Sequence, residues 1–133
     1  NCSLFSDRIT VENLITNGGD VHHIFPKEFL KKNGITEKYR YNQVANFTYL
    51  DTPINIWVGD REPADYFGFI CGKCMANETT IAGLSRIEDY WASLDANCIP
   101  RNIHTMGIND YEAFLLERRK LMAERIREYY FSL

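Results

Sequence analysis

The sequence predicts an α+β fold, with a short strand–loop–strand–helix unit in front and a mainly helical C-terminal half. Three observations predict it. Strand-like alternation of β-branched and aromatic residues is confined to two stretches, DVHHIF (20–25) and NFTYLD (46–51). Helix-start signals cluster beyond residue 50, at Thr52-Pro53, Pro63, Ser85–Glu88 and Asn109–Glu112. The chain has 133 residues, of which 45% are hydrophobic and 25% charged, enough for one core without staples.

Taken in order, DRITVENLITN (7–17) reads as a short helix capped by Thr10 and ended by Gly18-Gly19. The strand DVHHIF is stopped by Pro26, which cannot donate to a ladder. KEFLKKNG then makes one or two helical turns, halted at Asn33-Gly34. Residues 35–45 read as a polar loop rich in Tyr and Lys, and NFTYLD as the second strand. Thr52 is the expected N-cap of the next helix, with Pro53 at its first position and Asn55 in its first turn. REPADYFGFI (61–70) starts a helix near Pro63, and CGKCMANETT (71–80) is expected to be a loop. Capping boxes at Ser85–Glu88 and Asn109–Glu112 open two more helices. In the last helix Leu115, Met122, Ile126, Tyr129 and Leu133 recur at helical spacing, a stripe expected to pack against the rest of the domain.

Composition narrows the function classes. No apolar run reaches the roughly 18 residues of a membrane span, so no membrane partner is expected. The start Asn-Cys-Ser carries no initiator Met and no basic-then-apolar leader, which reads as a fragment of a longer cytoplasmic protein. Cys2, Cys71, Cys74 and Cys98 are too few for a disulfide framework. One Cys71-x-x-Cys74 pair, with Cys98 and His104 at no standard spacing, points to reduced thiols rather than zinc. The net charge is −3, which argues against a generic nucleic-acid coat. Yet residues 21–61 hold six Lys/Arg against four acids, a net of +2, and this is the basic part of the chain.

That basic part contains His22, His23, Asn46 and Asn55, and Asp20 stands immediately before it. Alternation puts Asp20 and His22 on one strand face and His23 on the other, but a bend before Pro26 can turn both imidazoles into one cleft. A neutral imidazole serves as a general base near pH 7. A neighbouring imidazole, a carboxylate or an Asn oxygen can hold a divalent ion. The set suits metal-assisted phosphodiester hydrolysis. Taken singly, each residue is as readily structural: a hydrogen-bonded histidine, a turn Asn or a cap.

The string DVHHIFPKEFL, followed by Asn46 and Asn55, resembles the HNH (His-Me finger) endonucleases, whose core is a ββα-metal unit. His23-Ile-Phe-Pro26 and the continuation YNQVANFTYLDTPINIWVGDREPADYF are most similar to the C-terminal nuclease domain of GmrSD-type restriction endonucleases. The resemblance covers about residues 5–133 and is strongest over 19–67. It implies a single nuclease domain over 1–133, with the core at about 19–60 and a helical remainder at 61–133. His23 would be the general base and His22 and Asn55 metal ligands. Asn46 would hold the loop and orient His23, and Asp20 would assist as a ligand or as a partner to His22. The ion would be one Mg²⁺ or Mn²⁺. His22 stands where many members have Asp, which shifts the expected preference toward Mn²⁺. The resemblance further implies DNA as substrate, a role in restriction or phage defence, and an N-terminal nucleotide-using domain as partner. Lys27, Lys31, Lys32, Arg40 and Arg61 are candidate phosphate contacts, with Arg61 favoured because it closely follows the ligand-bearing helix. The competing class is a catalytically silent domain that keeps the fold to bind DNA or a partner. An RNase is a further option.

Overall fold

The computed structural model describes residues 4–5 and 20–133, so the expected helix at 7–17 lies outside the described residues. The described chain is mixed α+β, with a two-stranded antiparallel sheet and a large helical share. Strand β1 (Asp20–His23) pairs with β2 (Phe47–Leu50) in the register Asp20 to Leu50, Val21 to Tyr49, His22 to Thr48 and His23 to Phe47. Helix α1 (Lys27–Lys32) follows the bend at Pro26 and ends at Asn33, with Gly34 at φ +91°, a conformation that costs a side-chain-bearing residue energy. The segment expected to be a plain loop instead carries a one-turn helix, α2 (Lys38–Tyr41), and a 3₁₀ turn at Val44–Asn46. Burial of Tyr41 and Ala45 gives that polar segment an anchor into the core, which its composition does not advertise.

Helix α3 (Thr52–Val58) begins one residue earlier than expected: Asp51 is the N-cap and Thr52 the first helical residue. It ends at Gly59, φ +58°, where the backbone donates to the Asn55 carbonyl oxygen at 3.2 Å. Helix α4 (Pro63–Met75) overruns its expected end. Cys71 and Cys74 therefore lie one turn apart on a buried helical face and not in a loop. Burial raises both thiol pKa values above the ordinary range. Helix α5 (Ile87–Ala96) has Arg86 as its N-cap and no side-chain cap bond, so the Ser85–Glu88 capping box does not form. The last helix, α6 (Tyr111–Phe131), is entered through a 3₁₀ turn at Ile108–Asp110. There the Asp110 carboxylate accepts the Gly107 N–H at 2.9 Å, in place of the box expected from Asn109.

One hydrophobic cluster joins both halves, including Ile24, Phe25 and Leu50 from the front and Tyr66, Phe67, Tyr90, Phe114 and Leu115 from the back. Phe25, just beyond β1, sits 4.9 Å from Phe114 and 5.1 Å from Tyr111 between ring centroids. Only the first half of α6 takes part. Tyr111, Phe114, Leu115 and Arg118 are buried at helical spacing, whereas Ile126, Tyr129 and Leu133 are 68%, 66% and 86% exposed. The expected packing stripe therefore stops after Met122. Among the described residues no helix is long and apolar enough to cross a membrane.

Candidate functional site

The site is built where β1 ends. Ile24 N–H donates to the Asn46 carbonyl at 2.8 Å, extending the ladder one step past His23. The fully buried Asn46 side chain then clamps the next residue from both sides: Oδ1 accepts Phe25 N–H at 2.8 Å and Nδ2 donates to Phe25 carbonyl at 3.0 Å. A strand that must bend has backbone groups with no ladder partner, and burial makes each of them costly unless a side chain answers it. Asn can both donate and accept through one planar group, which is why it serves here.

His22 faces inward and is 3% exposed. Its Nδ1 lies 2.7 Å from Asn55 Oδ1, so strand β1 and helix α3 meet at these two atoms across 33 residues of sequence. Its Nε2 lies 3.2 Å from the Tyr66 hydroxyl of α4, which donates in turn to the Ile24 carbonyl at 2.5 Å. Desolvation is the main cause that lowers the His22 pKa to about 4, outweighing the Asn55 hydrogen bond that raises it, so the ring is neutral near pH 7.

His23 faces the other way, packed edge-on to Phe47 at 4.9 Å, and is half-buried. Asn42 Oδ1 can only accept, so the 2.9 Å contact is a donation from His23 Nε2–H. This fixes the tautomer and leaves the His23 Nδ1 lone pair available. Despite their opposite faces, both histidines line one open cleft of about 550 Å³, together with Asn55, Lys27, Lys32 and Gly59. A larger hollow of about 760 Å³ beside α6 is lined by Asp95, Arg101 and Glu117 among others, and no histidine is in its lining.

Of the residues singled out in the sequence, His22, His23 and Asn55 come together at the cleft. Asn46 secures the bend, but its side-chain bonds go to Phe25 and Tyr41, while Asn42 is the residue that bonds the His23 ring. Asp20 opens β1 opposite Leu50. Among the basic candidates, Lys27 and Lys32 line the cleft, and Lys32 is paired with Asp60. Lys31 lies over the Tyr41 ring, and Arg40 is bound between Glu37 and Glu112. Arg61, the favoured candidate, is stacked on Trp57 at 4.9 Å and is not part of the cleft lining. Sequence reading missed Asn42 and Tyr66. Asn42 sits in a polar stretch with no spacing signal, and Tyr66 looks like any core aromatic of α4.

The His22 and Asn55 atoms suit a small divalent cation in kind. One neutral nitrogen and one amide oxygen leave further positions for water and phosphate oxygens, as Mg²⁺ and Mn²⁺ sites prefer. Among the described residues no three or more His, Cys, Asp or Glu side chains are grouped so as to hold a metal ion. No family model, no curated protein and no solved structure matches the chain.

Proposed function

We propose that the chain is a metal-dependent endonuclease domain of the His-Me finger class, with β1, β2 and α3 as a ββα-metal core. The observation that carries the reading is the convergence of His22 Nδ1 and Asn55 Oδ1 at 2.7 Å, with His23, the next residue in the chain, lining the same cleft. The nuclease reading is favoured over a silent scaffold because the two histidines have separate, specific hydrogen-bond partners that distinguish one ring nitrogen from the other.

His22 and Asn55 would hold the ion, and Asp20, two residues before His22 in β1, is a further oxygen donor in this proposal. When bound, the ion supplies charge neutralisation at the scissile phosphate and leaving oxygen. The other parts of the chemistry belong to the chain. His23 donates Nε2–H to Asn42 and presents Nδ1 to a water, which it deprotonates as that water attacks phosphorus. The bond to the leaving oxygen breaks and 5′-phosphate ends remain. Lys27 and Lys32 in the cleft lining, the latter paired with Asp60, would offer positive charge to the phosphates. DNA is the proposed substrate, in a restriction or phage-defence setting with a nucleotide-using domain as partner.

Nicking of supercoiled plasmid with Mg²⁺ or Mn²⁺ tests the reading. His23→Ala, at matched folding, is expected to lower the rate by about 10²–10⁴-fold, the usual worth of a positioned base. Equal nicking by the variant, or none by the wild type in either metal, rules the reading out.

A further inference from the structure

Next to the cleft, helices α3 and α4 carry a row of rings and cations that the proposed hydrolysis does not use. Trp57 of α3 and Phe69 of α4 lie 5.5 Å apart between ring centroids. Arg61 sits over the Trp57 indole at 4.9 Å, and Lys73 over the Phe69 ring at 5.5 Å. The order is therefore cation, indole, phenyl, cation. The row starts at the cleft edge, because Asn55, Gly59 and Asp60 line the cleft, Trp57 falls between them in sequence and Arg61 follows directly.

Each cation lies four residues after its ring, so cation–π pairing at helical spacing accounts for the two pairs taken singly. It does not account for Phe69. Trp57 is partly buried against the core, but Phe69 is 50% exposed even with Trp57 and Lys73 beside it. An accessible aromatic face next to a guanidinium suits a flat ring that carries an anion, and a nucleotide is both. In a duplex the base faces are stacked on one another, so such a row can engage only a strand whose bases are free. Lys73 is also paired with Glu78 at 3.1 Å, whereas Arg61 is exposed and no ion pair among the described residues holds it. Arg61 is thus the cation for a phosphate. Asp65, one turn before Phe69 on α4, is the acid that opposes a strand there.

We infer that this row is a stacking platform for single-stranded DNA: unpaired bases stack on Phe69 and Trp57, Arg61 meets an adjoining phosphate, and the strand passes Gly59 and Asp60 into the cleft. This names the form of substrate for the nuclease proposed above and rests on that reading for the cleft. A duplex has no free base to offer the row and would reach the cleft through its backbone alone.

The test is binding in EDTA, so that no strand is cut, on the full 133-residue chain. Fluorescence anisotropy at physiological salt is expected to give a lower Kd for a short labelled oligo(dT) than for a duplex of the same length. The indole N–H resonance of Trp57 is expected to shift with oligo(dT) and to stay in place with the duplex. Phe69→Ala, at an exposed position, should raise the Kd for oligo(dT) about 5–100-fold, the usual effect of losing one base–aromatic stack, and Phe69→Tyr should restore it. Arg61→Ala should reduce the single-strand slope of log Kobs against log salt by about 0.7. Asp65→Asn should tighten binding. Absent oligo(dT) binding, equal or tighter binding of the duplex, or a folded Phe69→Ala variant with unchanged Kd each overturns the inference and hands this surface to another kind of partner. Strand binding that depends on Phe69, with no nicking in Mg²⁺ or Mn²⁺, sinks the nuclease reading and leaves the platform standing. Nicking by a protein whose strand binding ignores Phe69 does the reverse.

Discussion

His22 shows how burial converts an ordinary side chain into a specialised one. An imidazole removed from water loses most by being charged, so its proton affinity drops and the neutral form persists well into acid. That has a stability consequence. The unfolded chain takes up a proton on this residue near pH 6.5, the native state only near pH 4. Between those values the unfolded state binds more protons, so stability is fully present above pH 6.5 and falls as the pH drops toward 4. The loss over that window is about 3 kcal/mol. Urea unfolding of metal-free protein at pH 7 and at pH 4.5 should show most of it. His22→Gln should flatten that part of the profile, and an equally steep decline in the variant would assign the acid sensitivity to other groups. His23 and Asn42 illustrate the complementary case, where a hydrogen bond rather than burial fixes which nitrogen carries the proton.

The same logic of answering buried polar groups operates between elements. Arg118, on the buried half of α6, donates through Nη1 to the carbonyls of Ala45 and Phe47 and through Nη2 to that of Asn97. Ala45 and Phe47 flank Asn46 in sequence, so the last helix braces the turn whose amide holds the bend after His23. Burial lowers the guanidinium pKa to about 10, which still leaves it charged at neutral pH. Arg118→Met keeps much of the volume but strips the donors from three carbonyls. A loss of about 3 kcal/mol or more is expected in urea unfolding, since a buried acceptor left unanswered costs roughly 1–3 kcal/mol. A loss below about 1 kcal/mol would mean that the turn holds without α6. Element positions were largely legible in the sequence because strand alternation and proline placement are local signals, as at DVHHIF, NFTYLD and Pro63. The misreadings lie where tertiary burial outweighed them: α4 ran through Cys71–Cys74 because its buried face continues, and the Ser85 box gave way to a start at Ile87.

Across the whole molecule, charge is arranged less by amount than by what each side chain is already bound to. Arg40 and Lys32 sit in ion pairs, and Arg61 is stacked on an indole, while Lys27 lines the cleft with its ammonium 5.6 Å from the Tyr41 ring. If the cleft takes a polyanion, Lys27 is the lining cation that no ion pair among the described residues already holds. Lys27→Ala is expected to reduce the slope of log Kobs against log salt by about 1 for a DNA duplex, while Arg61→Ala leaves it unchanged. Fluorescence anisotropy across a salt series measures both, and the reverse ranking would move the phosphate path toward α3 and α4.

By itself, the sequence determined the two strands, the bend before Pro26, the placing of Asn55 on the helix after β2, and the short list from which His22, His23 and Asn46 emerge. Those follow from periodicity, backbone restriction by proline and side-chain chemistry, which act over a few residues. Only the tertiary structure decided which atoms meet. Nothing local tells Tyr66 from the other buried aromatics, pairs Asn42 with His23, or marks Arg118 as the brace behind Asn46. Those pairings arise because buried polar groups must find partners, and the partners are supplied by whichever elements the core brings alongside. The exposed end of α6 is the reverse case: an apolar spacing fit for packing, left uncovered among the described residues because the core ends at Arg118.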